Sequence, residues 1–227
     1  WHNDVARAVM PTVAELGHQL PLGVPLPSGQ RARGFDFKPW KARDEKEIGE
    51  VRNKERAMPA GAFTSVVLGH FLSLWGETSP SSLSLPERRL AMGGAWAGDV
   101  YQAWIQLRRQ AIGNEMTMNL ACTLCHWQFG YVVDLGSIEV DALEDNEPLQ
   151  SPYVLRDGIE LAGGVRKLLT LTPIRWMAYE RMEESGLNLG ALKLLVAAAS
   201  ISGVEGLTPG MPITSSMLED LTKYDLE

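Results

Sequence analysis

Apolar residues recur at helical spacing along much of the chain, and this pattern predicts most of its helices. The longest stretch begins at Ser84-Leu85-Pro86-Glu87, which resembles a capping box with proline in the first turn. One apolar face then continues to Ile112, and Gly93-Gly94 is expected either to bend this helix or to allow close approach of another backbone. Thr172 and Pro173 form a typical helix start. Further helices are predicted at residues 44–57, 62–75, 173–185, 189–202 and 216–225.

The middle of the chain changes to the alternation that is typical of strands. Gly158 and the pair Gly163-Gly164 supply turn signals there. The predicted strands are Met116–Ala121, Phe129–Leu135, Ile138–Ala142, Tyr153–Leu155, Ile159–Val165 and Lys167–Thr172. Because the strands cluster and do not alternate with helices, the sequence predicts an α+β fold with a small antiparallel sheet.

The first segment of the chain is rich in proline and contains aromatic residues near its end. Each proline fixes φ and disfavours a helix in the residue before it, so we expect an extended arm that lies on another surface. The aromatic residues suggest anchors for binding other proteins, and we assign this role to Phe35, Phe37 and Trp40.

These patterns divide the chain into four regions. Residues 1–40 form the extended arm, and residues 41–114 form a helical region. A small β subdomain that carries a pair of cysteines occupies residues 115–172. A C-terminal helical region, residues 173–227, completes the chain.

Composition narrows the range of partners. The formal net charge is -7 over 227 residues, and an acidic surface disfavours nucleic acid and anionic membranes. The sequence has no long apolar run that could insert into a membrane, and its start lacks a secretory signal. Two cysteines suit a reducing compartment, while seven Trp and nine Met supply contact area for a core or an interface.

The sharpest chemical motif is Cys122-Thr123-Leu124-Cys125-His126, a C-x-x-C-H sequence. It matches a haem attachment site, although the export that haem attachment needs is not indicated. It also matches half of a Zn²⁺ site, with Cys122, Cys125 and His126 as ligands and a fourth ligand from elsewhere or from a second chain. The motif has two other interpretations: a redox-active dithiol, or two reduced thiols at a hairpin turn. We therefore expect either no cofactor or Zn²⁺.

No other catalytic pattern is visible. The sequence contains no nucleophile elbow, phosphate-binding loop, dinucleotide fingerprint or zinc-protease motif. The remaining histidines, His2, His18 and His70, are far apart in the sequence. We therefore expect that the protein is not an enzyme.

Several segments carry a resemblance to a known family through their order and spacing. They are Leu26-Pro27-Ser28-Gly29, residues 39–47, Cys122 and Cys125 followed by Phe129 and residues 132–135, Leu155-Arg156-Asp157-Gly158, and residues 169–176. Taken in this order, they resemble the baseplate hub and tail assembly proteins of contractile-tailed bacteriophages. One departure is that the family often has Cys-Pro-x-Cys-Gly where this chain has Thr123-Leu124 between its cysteines and His126 after them, which weakens the zinc assignment.

The resemblance implies a protein that works by contact. It would be a structural part of the baseplate, in or next to the hub, or an assembly chaperone that is absent from the mature virion. Its partners would be other tail proteins, with multiple copies in a ring or hub, and it would be found in the virion and, during assembly, in the host cytoplasm. A metal- or haem-binding redox protein is the remote alternative.

Overall fold

The computed structural model describes residues 10–221 apart from residues 55, 57, 123, 146, 162, 209 and 220. Its helices are α1 (Val13–Leu16), α2 (Ala42–Lys54), α3 (Ala60–Phe71), α4 (Leu85–Gly93), α5 (Ala97–Ile112), α6 (Trp176–Glu184) and α7 (Leu189–Ser200). Its strands are β1 (Gln19–Pro25), β2 (Arg31–Phe37), β3 (Leu72–Trp75), β4 (Glu115–Ala121), β5 (Gln128–Asp134), β6 (Ser151–Leu161), β7 (Gly164–Leu171) and β8 (Ile201–Val204). Short 3₁₀ turns lie at Pro80–Ser82, Leu135–Ser137 and Ser215–Leu218.

The described strands form three small antiparallel sheets, ordered β1-β2-β3, β4-β5 and β6-β7-β8. Helices and strands are grouped in separate stretches, so the predicted α+β class is confirmed. The described residues form three small sheets where the sequence pattern predicted one, because the first segment forms the β1–β2 pair and the β4–β5 pair does not join β6 and β7.

The larger core lies between the first sheet and helices α3 and α5. Leu68 and Phe71 from α3 and Val100 from α5 are fully buried in it. Trp176, at the start of α6, enters the same core and is 2% exposed. Its indole N–H donates to the Ser65 hydroxyl over 2.8 Å, and Ser65 donates in turn to the buried Glu180 carboxylate. The C-terminal half of the chain is thereby fixed to the central helix α3.

The smaller core is built by the third sheet and α7. Leu155 and Ile159 come from β6, Leu169 from β7 and Val204 from β8. Leu218, in the last 3₁₀ turn, is fully buried against them. This sheet is antiparallel throughout, with β7 in the middle.

Polar side chains of α5 hold the N-terminal segment in place. The Asp99 carboxylate accepts the backbone N–H of Leu22 over 2.7 Å, and the Gln106 amide donates to the carbonyl oxygens of Val13 and Gly17 over 2.7 and 2.9 Å. Burial raises the pKa of Asp99 to about 6, against the lowering effect of its hydrogen bonds. Backbone groups that would otherwise lie unpaired in the core are thus satisfied.

A second buried polar cluster fixes α2 to α3. Asp44 accepts hydrogen bonds from His70 over 2.8 Å, from the Lys38 ammonium over 3.0 Å and from the Lys41 backbone N–H over 2.9 Å. Burial acts to raise the pKa of Asp44, but these hydrogen bonds outweigh it and lower the pKa to about 2. The carboxylate therefore remains charged while almost fully buried, because three donors surround it.

The predicted long helix from Leu85 to Ile112 is wrong, because it is interrupted between α4 and α5. In the interruption, the Ala97 N–H donates to the Ile174 carbonyl over 3.0 Å, and the Trp176 N–H donates to the Ala95 carbonyl over 2.8 Å. A Cβ atom on Gly93 would approach the side chain of Met177 to 2.8 Å, so glycine permits close packing of α6 here. Distant backbone partners replace the helical hydrogen bonds that the break removes.

The first segment does not form a single extended arm. Described residues 19–37 form an antiparallel hairpin, with Val24 paired to Ala32 and Pro25 to Arg31, and β2 pairs onward with β3. The prolines fit this hairpin because Pro21 and Pro25 lie in β1, which is an edge strand. The segment packs on its own chain, since Leu20 is fully buried there.

Other differences from the predicted elements have local causes. The predicted strand at residues 138–142 is a single bridge between Glu139 and Thr12. The two strands predicted on either side of Gly158 are one strand, β6, with an irregularity in its pairing. The predicted helices at 62–75 and 189–202 each end in a strand, β3 and β8.

Two helix boundaries near the C-terminus also differ from the sequence prediction. The helix expected to start at Thr172 begins at Trp176, because the Thr172 N–H donates to the Ser200 carbonyl and the Ile174 carbonyl accepts from the Ala97 N–H instead. The helix expected at residues 216–225 is a 3₁₀ turn at Ser215–Leu218 in its described part, and residues 220 and 222–225 lie outside the described residues.

The raised pKa of Asp99 predicts a specific pH dependence of stability. Between the unfolded value of 3.8 and the folded value of about 6, the folded chain binds the proton more tightly, so the free energy of unfolding falls as pH rises through this window. A shift of this size corresponds to about 3 kcal/mol. Asp99→Asn removes this titrating group. The free energy of unfolding of the native protein, relative to that of the variant, is therefore expected to fall by about 3 kcal/mol between acid and neutral pH.

Urea unfolding at a series of pH values measures this difference. Asp141→Asn, at an exposed aspartate in a loop, is the matched control and gives no comparable slope. Parallel pH profiles for the native protein and Asp99→Asn would contradict the prediction.

Candidate interaction hairpin

The β4–β5 hairpin is the candidate functional site. Its strands pair in continuous register from Glu115 opposite Asp134 to Ala121 opposite Gln128. At the tip, the Cys122 N–H donates to the Trp127 carbonyl and the His126 N–H donates to the Cys122 carbonyl, both over 2.8 Å. The tip therefore presents the C-x-x-C-H motif at the far end of a regular ribbon.

The base of the hairpin is attached to α5. The Arg108 guanidinium donates to the carbonyl oxygens of Gly113 and Glu115 over 3.2 and 3.1 Å, and the Leu135 N–H donates to the Asn114 carbonyl over 2.9 Å. Above this base, each strand has the other as its main partner. A two-stranded ribbon is marginally stable in water by itself, so the anchored base is important for holding it.

The two faces of the hairpin differ in character. Side chains alternate along each strand, so cross-strand pairs share a face. The first face, called the apolar face below, consists of the pairs Met116–Val133, Met118–Tyr131 and Leu120–Phe129. The opposite face consists of Glu115–Asp134, Thr117–Val132, Asn119–Gly130 and Ala121–Gln128.

Large apolar side chains on the hairpin are exposed. Tyr131 is 54% exposed, and Trp127 at the tip is 68% exposed. Trp127 stacks on Phe129, with ring centroids 5.6 Å apart, and so extends the apolar face towards the tip. Leu124, in the tip itself, is 91% exposed. A contiguous exposed apolar surface of this kind is typical of a site that contacts another molecule.

Cys122 and Cys125 are free thiols in this tip. The backbone N–H groups of Cys125 and Leu124 donate to the Cys122 sulfur, and with the Cys125 side chain they lower the pKa of the Cys122 thiol. His126 has φ of 57°, a left-handed conformation that few residues other than glycine adopt readily. Hydrogen-bond donors at the Cys122 sulfur therefore favour its thiolate form.

The three predicted metal ligands are adjacent in the tip but do not form a three-ligand group. Among the residues that the structure describes, no three His, Cys, Asp or Glu side chains are arranged to hold a metal ion. Cys122 and Cys125 are presented as a pair of thiols, and His126 is not grouped with them. The assignments of zinc, haem or redox chemistry to this motif stay predictions.

The three predicted aromatic anchors lie outside the hairpin. Phe35 is 2% exposed and packs against His18 and Trp75 within the larger core, so its ring is not at the surface and its assignment as an anchor is corrected. Phe37 is partly buried against the same core. Trp40 is 44% exposed, although its ring stacks on Phe71 with centroids 4.1 Å apart.

A shallow groove of about 460 Å³ lies between α3, α4 and α6. Leu85, Leu90 and Met177 supply apolar walls, and the Arg89–Glu184 ion pair, with its closest atoms 3.1 Å apart, lies beside them. Leu90 is 66% exposed. The groove is a second apolar surface, and Arg89 forms ion pairs there with the carboxylates of Glu180 and Glu184.

Sequence reasoning missed the residues of the apolar face. The sequence predicts Phe129 and Tyr131 in a strand and Trp127 just before it, without a binding role for any of them, although residues 116–133 contain no Asp, Glu, Lys or Arg. An uncharged stretch of this length in a chain of net charge -7 was the available signal. The exposure of the stretch was not readable from the sequence, because the same pattern is typical of a buried strand pair.

Comparisons with protein-family models, with curated proteins and with solved structures gave no match. No helix in the described part of the chain has the length and apolar character needed to cross a membrane.

The hydrogen bonds to the Cys122 sulfur predict how its thiol titrates. In Cys125→Ser, which keeps the backbone donors, the Cys122 thiolate forms at a lower pH in the folded chain than in the same chain unfolded in urea. Ultraviolet absorbance of the thiolate measures both titrations. Cys122→Ser provides the companion measurement on Cys125 alone, and identical folded and unfolded titrations of Cys122 would contradict the prediction.

Proposed function

We propose that this chain is a non-enzymatic structural component of a contractile phage tail baseplate, in or next to the hub, and that it works through protein contacts. The segments that resemble baseplate hub and tail assembly proteins supply the context. The observation that carries the proposal is the apolar face of the β4–β5 hairpin, which projects from an anchored base and exposes aromatic side chains.

The chemistry of the hairpin suits a protein partner. Tyr and Trp provide large, rigid contact areas and are enriched among the residues that dominate binding energies at interfaces. Tyr131, Trp127 and Phe129 bring such groups together on one side of a ribbon. Residues 116–133 of the ribbon contain no Asp, Glu, Lys or Arg, so no ion pair there is desolvated when a partner covers the apolar face, and its burial favours association directly.

The proposed partners are other tail and baseplate proteins, with several copies of this chain in a ring or hub. The net charge of -7 disfavours nucleic acid as a partner. The proposed location is the virion baseplate, after assembly in the host cytoplasm. An assembly chaperone that leaves before the virion matures is the second candidate, because it would use the same exposed face.

A redox or haem protein centred on Cys122 and Cys125 is a separate alternative, motivated by the lowered pKa of the Cys122 thiol. It is distinguished by a Soret band or by turnover of a thiol substrate. Neither signal is expected from a protein that acts by contact.

Mass spectrometry of purified phage particles from the source host tests the proposal. The chain is expected in intact particles at a small, fixed copy number. Presence only in the infected-cell lysate would support the assembly chaperone. Absence from both particles and lysate would overturn the phage assignment.

A pair of adjacent substitutions tests the apolar face itself. Tyr131 and Val132 are neighbours in β5 whose side chains lie on opposite faces of the ribbon. Tyr131→Thr is expected to reduce incorporation into particles at least tenfold, since it removes an exposed aromatic contact while threonine keeps a strong strand preference. Val132→Thr, the control, is expected to change incorporation less than twofold.

Quantitative mass spectrometry of particles assembled from each variant measures the effect. Circular dichroism of the purified variants establishes that both retain the native fold. Equal incorporation of Tyr131→Thr and the native chain would exclude the apolar face as the contact surface.

A further inference from the structure

The tip of the hairpin presents two thiols as far from the rest of the chain as the ribbon allows. Cys125 is exposed, and its neighbour Leu124 is 91% exposed. Each strand of the ribbon has seven residues, which corresponds to a projection of roughly 23 Å from base to tip. A buried, structural cysteine pair needs no such projection.

The turn between the cysteines has the form that a thiolate ligand needs. Two backbone hydrogen bonds close this turn: the Cys122 N–H donates to the Trp127 carbonyl and the His126 N–H donates to the Cys122 carbonyl, both over 2.8 Å. The turn therefore brings both cysteines to the same end of the ribbon. Two thiols separated by two residues in a tight turn are the usual half of a tetrahedral Zn²⁺ site.

A closed zinc site requires four ligands, and this tip supplies two. Among the described residues, no third His, Cys, Asp or Glu side chain is grouped with Cys122 and Cys125. A second molecule can supply the missing ligands. A second copy of the same tip supplies the same two thiols, and placing the copies about a two-fold axis yields four.

The charge distribution permits two copies to meet at this point. Each chain has a formal net charge of -7, which opposes association. However, residues 116–133 contain no Asp, Glu, Lys or Arg, so the charged groups nearest in sequence are Glu115 and Asp134 at the base. The separation from tip to base exceeds the Debye length of about 8 Å at physiological ionic strength, so repulsion at the tip is weak.

We propose that two copies of this chain are joined tip to tip by one Zn²⁺ ion, held by Cys122 and Cys125 of each copy. Four S–H groups release four protons to solvent as four Zn–S bonds form, and no oxidation occurs. The inference shares the hairpin with the proposed function but requires no phage component. Its success or failure is therefore measured separately from incorporation into particles.

The test uses the full chain, purified in a non-thiol reducing agent, with and without added Zn²⁺. Elemental analysis is expected to find one zinc for two chains, and native mass spectrometry is expected to find a dimer that a chelator converts to monomers. One zinc per monomer, no bound zinc, or a dimer that survives chelation would each overturn the proposal.

Three variants assign the ligands. Cys125→Ser is expected to lose both the zinc and the dimer. His126→Gly removes the neighbouring imidazole and suits the φ of 57° at this position, so the zinc-linked dimer is expected to persist. Tyr131→Thr is expected to keep the dimer as well, because the apolar face is not the zinc ligand.

Outcomes for these variants separate the alternatives. Loss of zinc in His126→Gly would place the imidazole among the ligands and overturn the four-thiolate site. Loss of the dimer in Tyr131→Thr with zinc still bound would show that the apolar face joins the copies, and would overturn the zinc link. Replacement of Zn²⁺ by Co²⁺ gives an independent readout, since four thiolates around Co²⁺ produce intense charge-transfer and visible bands.

Discussion

The structure depends on two backbone hydrogen bonds that join two segments distant in sequence. The N–H of Ala97 bonds to the carbonyl of Ile174, and the N–H of Trp176 bonds to the carbonyl of Ala95. The Arg175 guanidinium lies over the Trp96 ring, 3.3 Å from its centroid, and places Trp176 in the core beside it. These contacts close a loop of the chain that contains α5, the hairpin and most of the third sheet. Without them, α5 would lose its N-terminal support and the hairpin base its orientation.

The exposure of the hairpin follows from this arrangement. Helix α5 buries Val100, Ala103 and Leu107 against the larger core, which leaves its C-terminal end at the surface. The ribbon continues from that end and is anchored there by Arg108. After the ribbon, the chain returns through Leu135, which is buried, so both ends of the hairpin are fixed while its length projects. A two-stranded ribbon is only marginally stable by itself. Because its base is fixed, the ribbon loses less conformational entropy when it binds a partner.

The sequence was informative where local pattern determines structure. Alternation in residues 116–121 and 129–135 predicted the hairpin almost to its observed limits, and Ser84 and Glu87 form the predicted capping box. The sequence prediction failed where contacts between distant residues determine the structure. The break before Ala97 depends on backbone partners at residues 174–176, and Phe35 is buried because it packs against Trp75 in the core that α3 and α5 also line. The pair of cysteines was visible as a motif in the sequence. Its position at the end of an exposed ribbon could be recognised only from the structure.

The buried polar groups connect separate elements of the fold. Asp44 accepts hydrogen bonds from His70, Lys38 and Lys41. Asp99 accepts one from the backbone of β1, and Glu180 accepts one from Ser65. Each of these groups therefore ties one element of the chain to another, and its hydrogen bonds are made inside the fold. The exposed chemistry described above is concentrated on the hairpin, where thiols and aromatic rings are positioned by backbone hydrogen bonds. The proposed thiol coordination and the proposed aromatic contact would both act between molecules, and a projecting element suits both roles.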